Sequence, residues 1–167
     1  MKKNISRNYL EIFSLKDLAD VKKPSEDFFI EIVNPPNFLL NKFFYKNIGN
    51  DHRWIDRLVW NDKQWIDYTT NENVKTYILR KNNDLVGYFE LIFHNQKKET
   101  EIAYFGLLKE FHNKKLGSYL LSIAIKKSFQ DKSERVWVHT CSLDHKNALN
   151  NYLSRGMKIF KRETVTI

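Results

Sequence analysis

The segment 107–118 combines residue types that bind an anion. Its apolar strand pattern gives way to helical periodicity, so a short loop leads directly into a helix N-terminus. Such an end presents unpaired backbone N–H groups and the positive pole of the helix dipole. Lys114 and Lys115 add charge, Gly117 permits close backbone approach, and Ser118 offers a hydroxyl. The same pattern also describes an ordinary helix start with a small packing residue, and this alternative stays open.

The elements that position this loop follow from apolar spacing and turn residues. Strands are predicted at Tyr9–Phe13, Phe28–Val33, Val74–Arg80, Leu85–Phe93, Glu101–Leu108, Arg135–Cys141 and Met157–Val165. Helices are predicted at Phe38–Tyr45, Asn61–Tyr68, Leu116–Phe129 and Asp144–Ser154. A polar break at 47–51 should follow the first helix, Asn61 or Asp62 should cap the second, and Gly156 should end the last. These elements predict one α+β domain over residues 1–167, in which the strands from residue 74 to 108 form an antiparallel meander.

Composition narrows the class of protein. The 167 residues are 42% hydrophobic and include one cysteine, so we expect a folded core and neither an internal disulfide framework nor a cysteine-rich zinc site. No apolar run approaches the ~18 residues of a membrane helix, and the basic N-terminus lacks the apolar stretch of a secretory signal. A cytoplasmic setting is therefore expected.

The charge is uneven along the chain. The net charge is +8, yet residues 1–108 hold 16 basic and 15 acidic side chains, whereas residues 109–167 hold 12 and 5. This excess suggests that the C-terminal part meets nucleic acid, a lipid surface or a phosphorylated cofactor. A solvated basic face explains the same numbers.

The second half of the chain resembles the GCN5-related N-acetyltransferase (GNAT) superfamily, through its order of strand, anion loop, helix, strand, helix, glycine and strand. In that family Arg/Gln-x-x-Gly-x-Gly/Ala cradles the pyrophosphate of acetyl-CoA. Here residues 112–117 read His-Asn-Lys-Lys-Leu-Gly, so only the final glycine, Gly117, matches. Lys115 takes the place of the middle glycine, and it compensates by charge provided that its φ is negative.

A second motif carries the resemblance further. The family pattern is similar to Asn-x-x-Ala-x-x-x-Tyr-x-x-x-Gly-Phe, and in residues 145–157 Ala148, Tyr152 and Gly156 fall in register, whereas His145 and Met157 are substitutions. The phrases at 52–58, 87–91, 104–108 and 139–145 look like those of small bacterial members. The resemblance covers the chain from about residue 50 to the end. It implies a single α+β domain with a mixed, mostly antiparallel sheet flanked by helices.

The resemblance implies acetyl-CoA as co-substrate, no metal, and a cofactor-binding half at about 101–167. The implied cofactor residues are the strand-end backbone of Leu107, Leu108 and Lys109, the loop residues His112, Asn113, Lys114, Lys115, Leu116, Gly117 and Ser118, and, beside the last helix, His145 and Asn147. Asp144 is expected to cap that helix instead, with Ser142 as the competing cap.

The implied reaction is direct attack of an amine on the thioester, which needs a base for the amine and an acid for the leaving thiolate. Tyr152 matches the family's acid, although a tyrosine merely packed on the sheet fits as well. Glu101 holds the position of the base in histone-type members, and Glu90 on the neighbouring strand is its rival. Glu101, at the start of an exposed strand, is otherwise a solvated carboxylate.

The acceptor side is implied at the helices of about 37–72. Trp54, Asp56 and Arg57 fall there, with Asp56 suited to an ammonium group and Arg57 to a carboxylate; a structural tryptophan cluster with an ion pair is the alternative. The expected partner is a small-molecule or peptide amine, without membrane or nucleic acid, and a homodimer fits the family. The competing hypothesis is a noncatalytic CoA-, nucleic-acid- or phospholipid-binding module that uses the basic half.

Overall fold

Seven strands form one mixed sheet in the computed structural model, which describes residues 1–166. They are β1 (Asn4–Ile12), β2 (Phe28–Ile32), β3 (Val74–Lys81), β4 (Asp84–His94), β5 (Glu99–Leu107), β6 (Arg135–Cys141) and β7 (Lys158–Thr166). Their spatial order is β2-β3-β4-β5-β6-β1-β7, and β5 and β6 run parallel whereas the other neighbours are antiparallel. The predicted mixed, mostly antiparallel α+β fold is confirmed.

Four helices cover the sheet: α1 (Phe38–Gly49), α2 (Asp62–Thr69), α3 (Leu116–Gln130) and α4 (Ala148–Ser154). Asn61 caps α2 as predicted, because its side chain accepts from Gln64 N while the Gln64 side chain accepts from Asn61 N. Gly156 follows α4 with φ of +103°, the left-handed conformation expected there.

The core is divided between the two faces of the sheet. On one face α3 buries Leu120, Leu121 and Ile125 completely. On the other, Phe44 of α1 stacks on Tyr88 of β4 with ring centroids 4.8 Å apart. Burial of each such side chain contributes about 1.5–3 kcal/mol, so both faces are held firmly against their helices.

A gap opens in the middle of this sheet. Strands β5 and β6 pair only where Glu99–Glu101 face residues 135–137, although β5 stays paired with β4 up to Leu107. The β4–β5 register also shifts so that Ala103 has no partner, which is a β-bulge. Beyond Glu101, the backbone groups of β5 that face β6 therefore have no partner strand.

The N-terminal strand completes the other half of the sheet. β1 lies between β6 and β7 and is antiparallel to both. Leu10 and Ile12 of β1 are buried in the larger core cluster, whereas Arg7 faces the opposite side. The first residues of the chain thus contribute to the region next to the gap.

Two local predictions are wrong. The polar residues after Tyr45 do not end α1, which continues to Gly49 and buries Ile48 on the sheet. The last helix begins at Ala148, and Asp144 does not cap it. The Asp144 carboxylate instead accepts from the Thr140 hydroxyl and the Cys141 N–H, because the chain turns sharply at the end of β6.

Candidate active site

A cavity of about 740 Å³ occupies the gap between β5 and β6. Its walls come from the segment 52–57, the second half of β5, the start of α3, and the residues from Leu143 to Tyr152. Ile48 and Ile92 line it from the α1 face, whereas Leu116 lies on the α3 side. The cavity therefore passes through the sheet, with the predicted loop at one end and the predicted acceptor residues at the other.

The loop before α3 is tied together by side chains. The His112 ring nitrogen Nε2 lies 3.0 Å from the Leu107 carbonyl oxygen, and the Ser118 hydroxyl donates to the Lys115 carbonyl oxygen at 2.8 Å. From α4, Asn151 Nδ2 donates to the Gly117 carbonyl oxygen at 3.1 Å. These bonds fix the strand end, the loop and the first turn of α3 relative to each other.

Gly117 leaves open space at the start of α3. A Cβ built on it would meet only Asn151 Nδ2 at 3.7 Å and Leu107 Cδ1 at 3.8 Å, which are ordinary contacts. Packing within the chain thus does not require a glycine here. The position lines the cavity, so the missing side chain leaves room for a ligand to approach the backbone.

Lys115 does not meet the condition of a negative φ. Its φ is +60°, and that of Asn113 is +61°, so two residues of the loop are left-handed. A left-handed residue with a Cβ is strained by roughly 1–2 kcal/mol, and asparagine tolerates the conformation better than lysine. The chain thus keeps the backbone turn that a glycine would favour, with an exposed cationic side chain on it.

Tyr152 lies on α4 with its side chain buried against the cavity. Its ring centroid is 6.3 Å from that of Phe105 on β5. Within residues 1–166 no group hydrogen-bonds its hydroxyl. Burial, and after it the negative charge of Asp144, raise the pKa of Tyr152 well above that of a free phenol. The neutral hydroxyl is therefore available as a proton donor to a ligand.

The two candidate carboxylates have different surroundings. Glu101 lines the cavity, and His94 Nε2 lies 3.2 Å from its Oε1. Glu90 does not line the cavity and is completely buried. Its oxygens accept from Arg57 Nη1 at 2.9 Å, the Tyr68 hydroxyl at 2.6 Å and Asn41 Nδ2 at 2.9 Å. Only Glu101 of the pair is placed to meet a ligand.

The acceptor-side residues separate into surface and core. Trp54 and Asp56 line the cavity, and Asp56 is exposed. Arg57 also touches the cavity but is buried beside Glu90. Burial works against its charge, but Glu90 and nearby phenols outweigh it, so the pKa of Arg57 lies above its usual range. Its guanidinium carbon lies within 6 Å of five aromatic rings, those of Tyr45, Trp60, Trp65, Tyr68 and Tyr104.

Three imidazoles line the cofactor side of the cavity: His52, His112 and His145. The rings of His112 and His145 have centroids 5.0 Å apart, and those of His52 and His145 are 6.4 Å apart. The Nδ1 atom of His52 lies 3.2 Å from the Leu143 carbonyl oxygen, which links the acceptor segment to the loop before α4. Burial, then His112 and His52, lower the pKa of His145.

The remaining predicted cofactor residues are divided. Asn113, Leu116 and Asn147 line the cavity. Leu108, Lys109 and Lys114 do not: the N–H of Leu108 donates to Val86 O, and the two lysines are exposed on the nearby surface. The alternation of side chains along β5 does not predict which backbone groups face the cavity after this strand has separated from β6.

Sequence reasoning also missed residues that the cavity contains. Arg7, His52, His139 and Asn151 all line it. Side chains alternate along β6, so His139 lies on the face opposite to that of the buried Val136 and Val138. This alternation is visible in the sequence. Arg7 had no such signal, because nothing local indicates that β1 lies beside β6.

The comparisons with known proteins bear on this arrangement. The profile of the acetyltransferase (GNAT) family matches residues 37–157. The chain belongs to the GNAT acetyltransferase family. Members of the GNAT family use acetyl-CoA as co-substrate. No curated protein sequence matches the chain.

Solved structures of other proteins show the same fold. A functionally unknown conserved protein of Staphylococcus epidermidis is 18% identical with a TM-score of 0.68. The match includes 99% of this chain and 62% of that protein. A GCN5-related N-acetyltransferase from Kribbella flavida is 16% identical with a TM-score of 0.68, over 99% of this chain and 58% of that one. The chain thus spans about three fifths of either structure.

A third similar structure is nearer in length. It is an aminoglycoside acetyltransferase from an uncultured soil metagenomic sample, in complex with trehalose. It is 12% identical with a TM-score of 0.65, over 80% of this chain and 90% of that one. At this identity the likeness concerns the fold.

Residues 1–166 lack two further kinds of feature. No helix in this range combines the length and apolarity needed to cross a membrane. The same range holds no group of three or more His, Cys, Asp or Glu side chains arranged to bind a metal ion.

Proposed function

We propose that the protein is an acetyl-CoA-dependent N-acetyltransferase that transfers an acetyl group to a primary amine by direct attack. One observation carries the proposal: a single cavity joins the Gly117 loop to the acceptor side through the gap between β5 and β6. A thioester that enters from the loop side then meets an amine that enters from the other side, without the need for a covalent enzyme intermediate.

The loop before α3 fits the phosphates of CoA. The N-terminus of this 15-residue helix offers unpaired N–H groups, and the space over Gly117 is open to a ligand. Lys115 lines the cavity beside it, and Lys109 and Lys114 add positive charge on the surface nearby. His145 and Asn147, in the loop just before α4, are proposed to contact the pantetheine arm.

The unpaired backbone of β5 supports the thioester end. Between Ile102 and Leu107 this strand has lost its partner β6, so alternate N–H and C=O groups face the cavity. Donors fixed in this way can bind an amide of the pantetheine arm or stabilise the developing negative charge on the carbonyl oxygen. The identities of the side chains matter little for this role.

Tyr152 is the proposed acid. Its hydroxyl stays protonated at neutral pH and has no partner among residues 1–166, and its side chain lines the cavity, so it can give a proton to the leaving thiolate. Of the two carboxylates, Glu101 is the one proposed to act on the acceptor side, because it lines the cavity whereas Glu90 is enclosed. Asp56 and Trp54 are proposed to receive the acceptor, a small-molecule or peptide amine.

Binding and turnover test the proposal separately. CoA and acetyl-CoA should raise the melting temperature at micromolar concentration, since ligand at 100 times its Kd stabilises a protein by about 2.7 kcal/mol. Acetylation is then measured by thiol release and mass spectrometry over amino acids, polyamines, aminoglycosides and short peptides. Absence of a shift at millimolar CoA would refute the proposal, and a shift without acetylation of any amine would identify a noncatalytic CoA-binding protein.

A further inference from the structure

His139 lies where the cavity crosses the sheet. The last paired residues of β5 and β6 are Glu101 and Trp137, and His139 is the next residue of β6 on the same face as Trp137. Its side chain lines the cavity and is exposed to it. The ring therefore stands at the acceptor-side edge of the gap in which the thioester is proposed to lie.

The imidazole of His139 differs from the other four in its bonding. His52, His94, His112 and His145 each have one ring nitrogen within hydrogen-bond distance of a protein partner. For His139 no residue between 1 and 166 supplies such a partner to either nitrogen. Both nitrogens are thus open to substrate and water, as a proton acceptor requires.

Charged groups of both signs surround this ring. The titratable groups that face it are Arg7 and Tyr9 from β1, Glu101 from β5, Asp144 from the loop after β6, and Glu163 from β7. Burial of part of the ring and the charge of Arg7 lower the pKa of His139, and the carboxylates oppose this shift. The ring is therefore neutral at pH 7 and has negative charge nearby once it takes up a proton.

We propose that His139 is the immediate proton acceptor for the amine, and that Glu101 stabilises the imidazolium that forms. The inference rests on the proposed function and adds a residue to it. Imidazole suits the task because a base works best when its pKa lies near the working pH.

The reaction removes two protons from the nitrogen of the acceptor. The ammonium form of the acceptor gives one proton to a ring nitrogen of His139, and the freed lone pair forms the C–N bond with the acetyl carbon. The C–S bond breaks and its electron pair leaves on sulfur. The thiolate takes the proton of the Tyr152 hydroxyl, and the phenolate takes the second proton from nitrogen. His139 returns its proton to water, so the products are the amide, CoA thiol and one proton.

The pH dependence of His139→Gln tests this role. We expect kcat/KM at pH 7 to fall about 100-fold, within the range of general-base catalysis. The loss should shrink as pH rises towards the pKa of the amine, because the amine then loses its proton to solvent. The melting-temperature shift with CoA should stay as in the unchanged protein. His94→Gln, which removes the imidazole bonded to Glu101, should keep the acid limb of the profile.

Glu101→Gln separates the two candidate bases. If His139 accepts the proton, loss of the nearby carboxylate lowers the pKa of the imidazole, so the acid limb of kcat/KM moves to lower pH. If Glu101 is itself the base, the activity falls at all pH values up to the amine pKa, and this result overturns the inference.

An NMR titration of the histidine rings gives a check that needs no variant. The pKa of His139 should agree with the acid limb of kcat/KM, which reports groups of the free enzyme. Disagreement by more than about one unit would overturn the inference. Full activity of His139→Gln at pH 7 would also overturn the inference. The proposed function would still stand if the protein binds CoA and acetylates an amine. If it does neither, the proposed function and the inference are both wrong.

Discussion

Arg57 donates from Nη1 to Glu90 Oε1 over 2.9 Å, and the two side chains are only 7% and 0% exposed. The pair ties the acceptor-side segment at 52–60 to β4. Tyr68 of α2 and Asn41 of α1 donate to the same carboxylate. Glu90 therefore joins three separate parts of the acceptor side, which favours a positioning role over proton transfer.

The first prediction concerns this buried pair. Glu90→Gln should lower the free energy of unfolding by about 3–5 kcal/mol, because it leaves the Arg57 charge buried without a counter-ion. Urea denaturation measures the change. The matched control is Glu31→Gln, which breaks the pair with Arg80 at the surface and should cost less than about 1 kcal/mol.

A different result would support Glu90 as the general base. Glu90→Gln would then have the stability and the KM of the unchanged protein, and only its kcat would fall. If the variant is too unstable to purify, the double change Arg57→Met with Glu90→Leu is informative. Replacement of both partners by apolar side chains is often neutral for stability.

The second prediction separates two glycines. Gly117→Ala should leave the fold as stable as before or slightly more stable, because alanine is the better helix former by about 0.5–1 kcal/mol and meets only ordinary contacts. Its affinity for CoA should fall at least tenfold, about 1.4 kcal/mol, as the new methyl enters the space proposed for phosphate. Isothermal titration with CoA measures the loss.

Gly156→Ala is its control. A Cβ there would overlap the Asp17 carbonyl oxygen, and the φ of +103° strains any other residue. We expect a loss of about 2 kcal/mol or more in the free energy of unfolding. CoA affinity that is unchanged in Gly117→Ala would contradict the placement of the phosphates.

The third prediction uses the left-handed Lys115. Lys115→Gly and Lys115→Ala remove the same charge, but only the alanine keeps a Cβ at φ of +60°. The glycine variant should be more stable than the alanine variant by about 1 kcal/mol. Both should bind CoA more weakly than the unchanged protein, and the difference should shrink at high salt. A more stable alanine variant would mean that the loop does not hold this conformation.

Local patterns were sufficient for most elements. Apolar spacing located α3 and the strand before it, whereas Gly117 by itself fitted an ordinary helix start as well as an anion site. These features depend on residues that are neighbours in sequence. The turn at Asp144 was mispredicted because an aspartate can cap a helix or close a strand end equally well.

The roles of Glu90 and His139 could not be read in the same way. Both are polar residues on strands, and alternation gives only the face on which each one lies. Whether that face is enclosed depends on α1 and α2, which cover Glu90 but leave His139 open to the cavity. Such coverage comes from contacts between residues 22–49 positions apart, so it is a property of tertiary packing.

The last prediction concerns the acid. Tyr152→Phe should lower kcat by about 10²–10⁴ and leave the CoA-induced melting shift nearly unchanged, because only the proton donor is lost. Tyr119→Phe is the matched control: this phenol is equally buried, lies on α3 and does not line the cavity. The raised pKa of Tyr152 keeps its hydroxyl protonated as pH rises, so kcat of the unchanged protein should show no fall up to about pH 10 from loss of this proton. Equal losses of kcat and CoA binding in Tyr152→Phe would show that the tyrosine holds the cofactor. A fall in kcat between pH 8 and 10 that is absent from Tyr152→Phe would contradict the raised pKa of Tyr152.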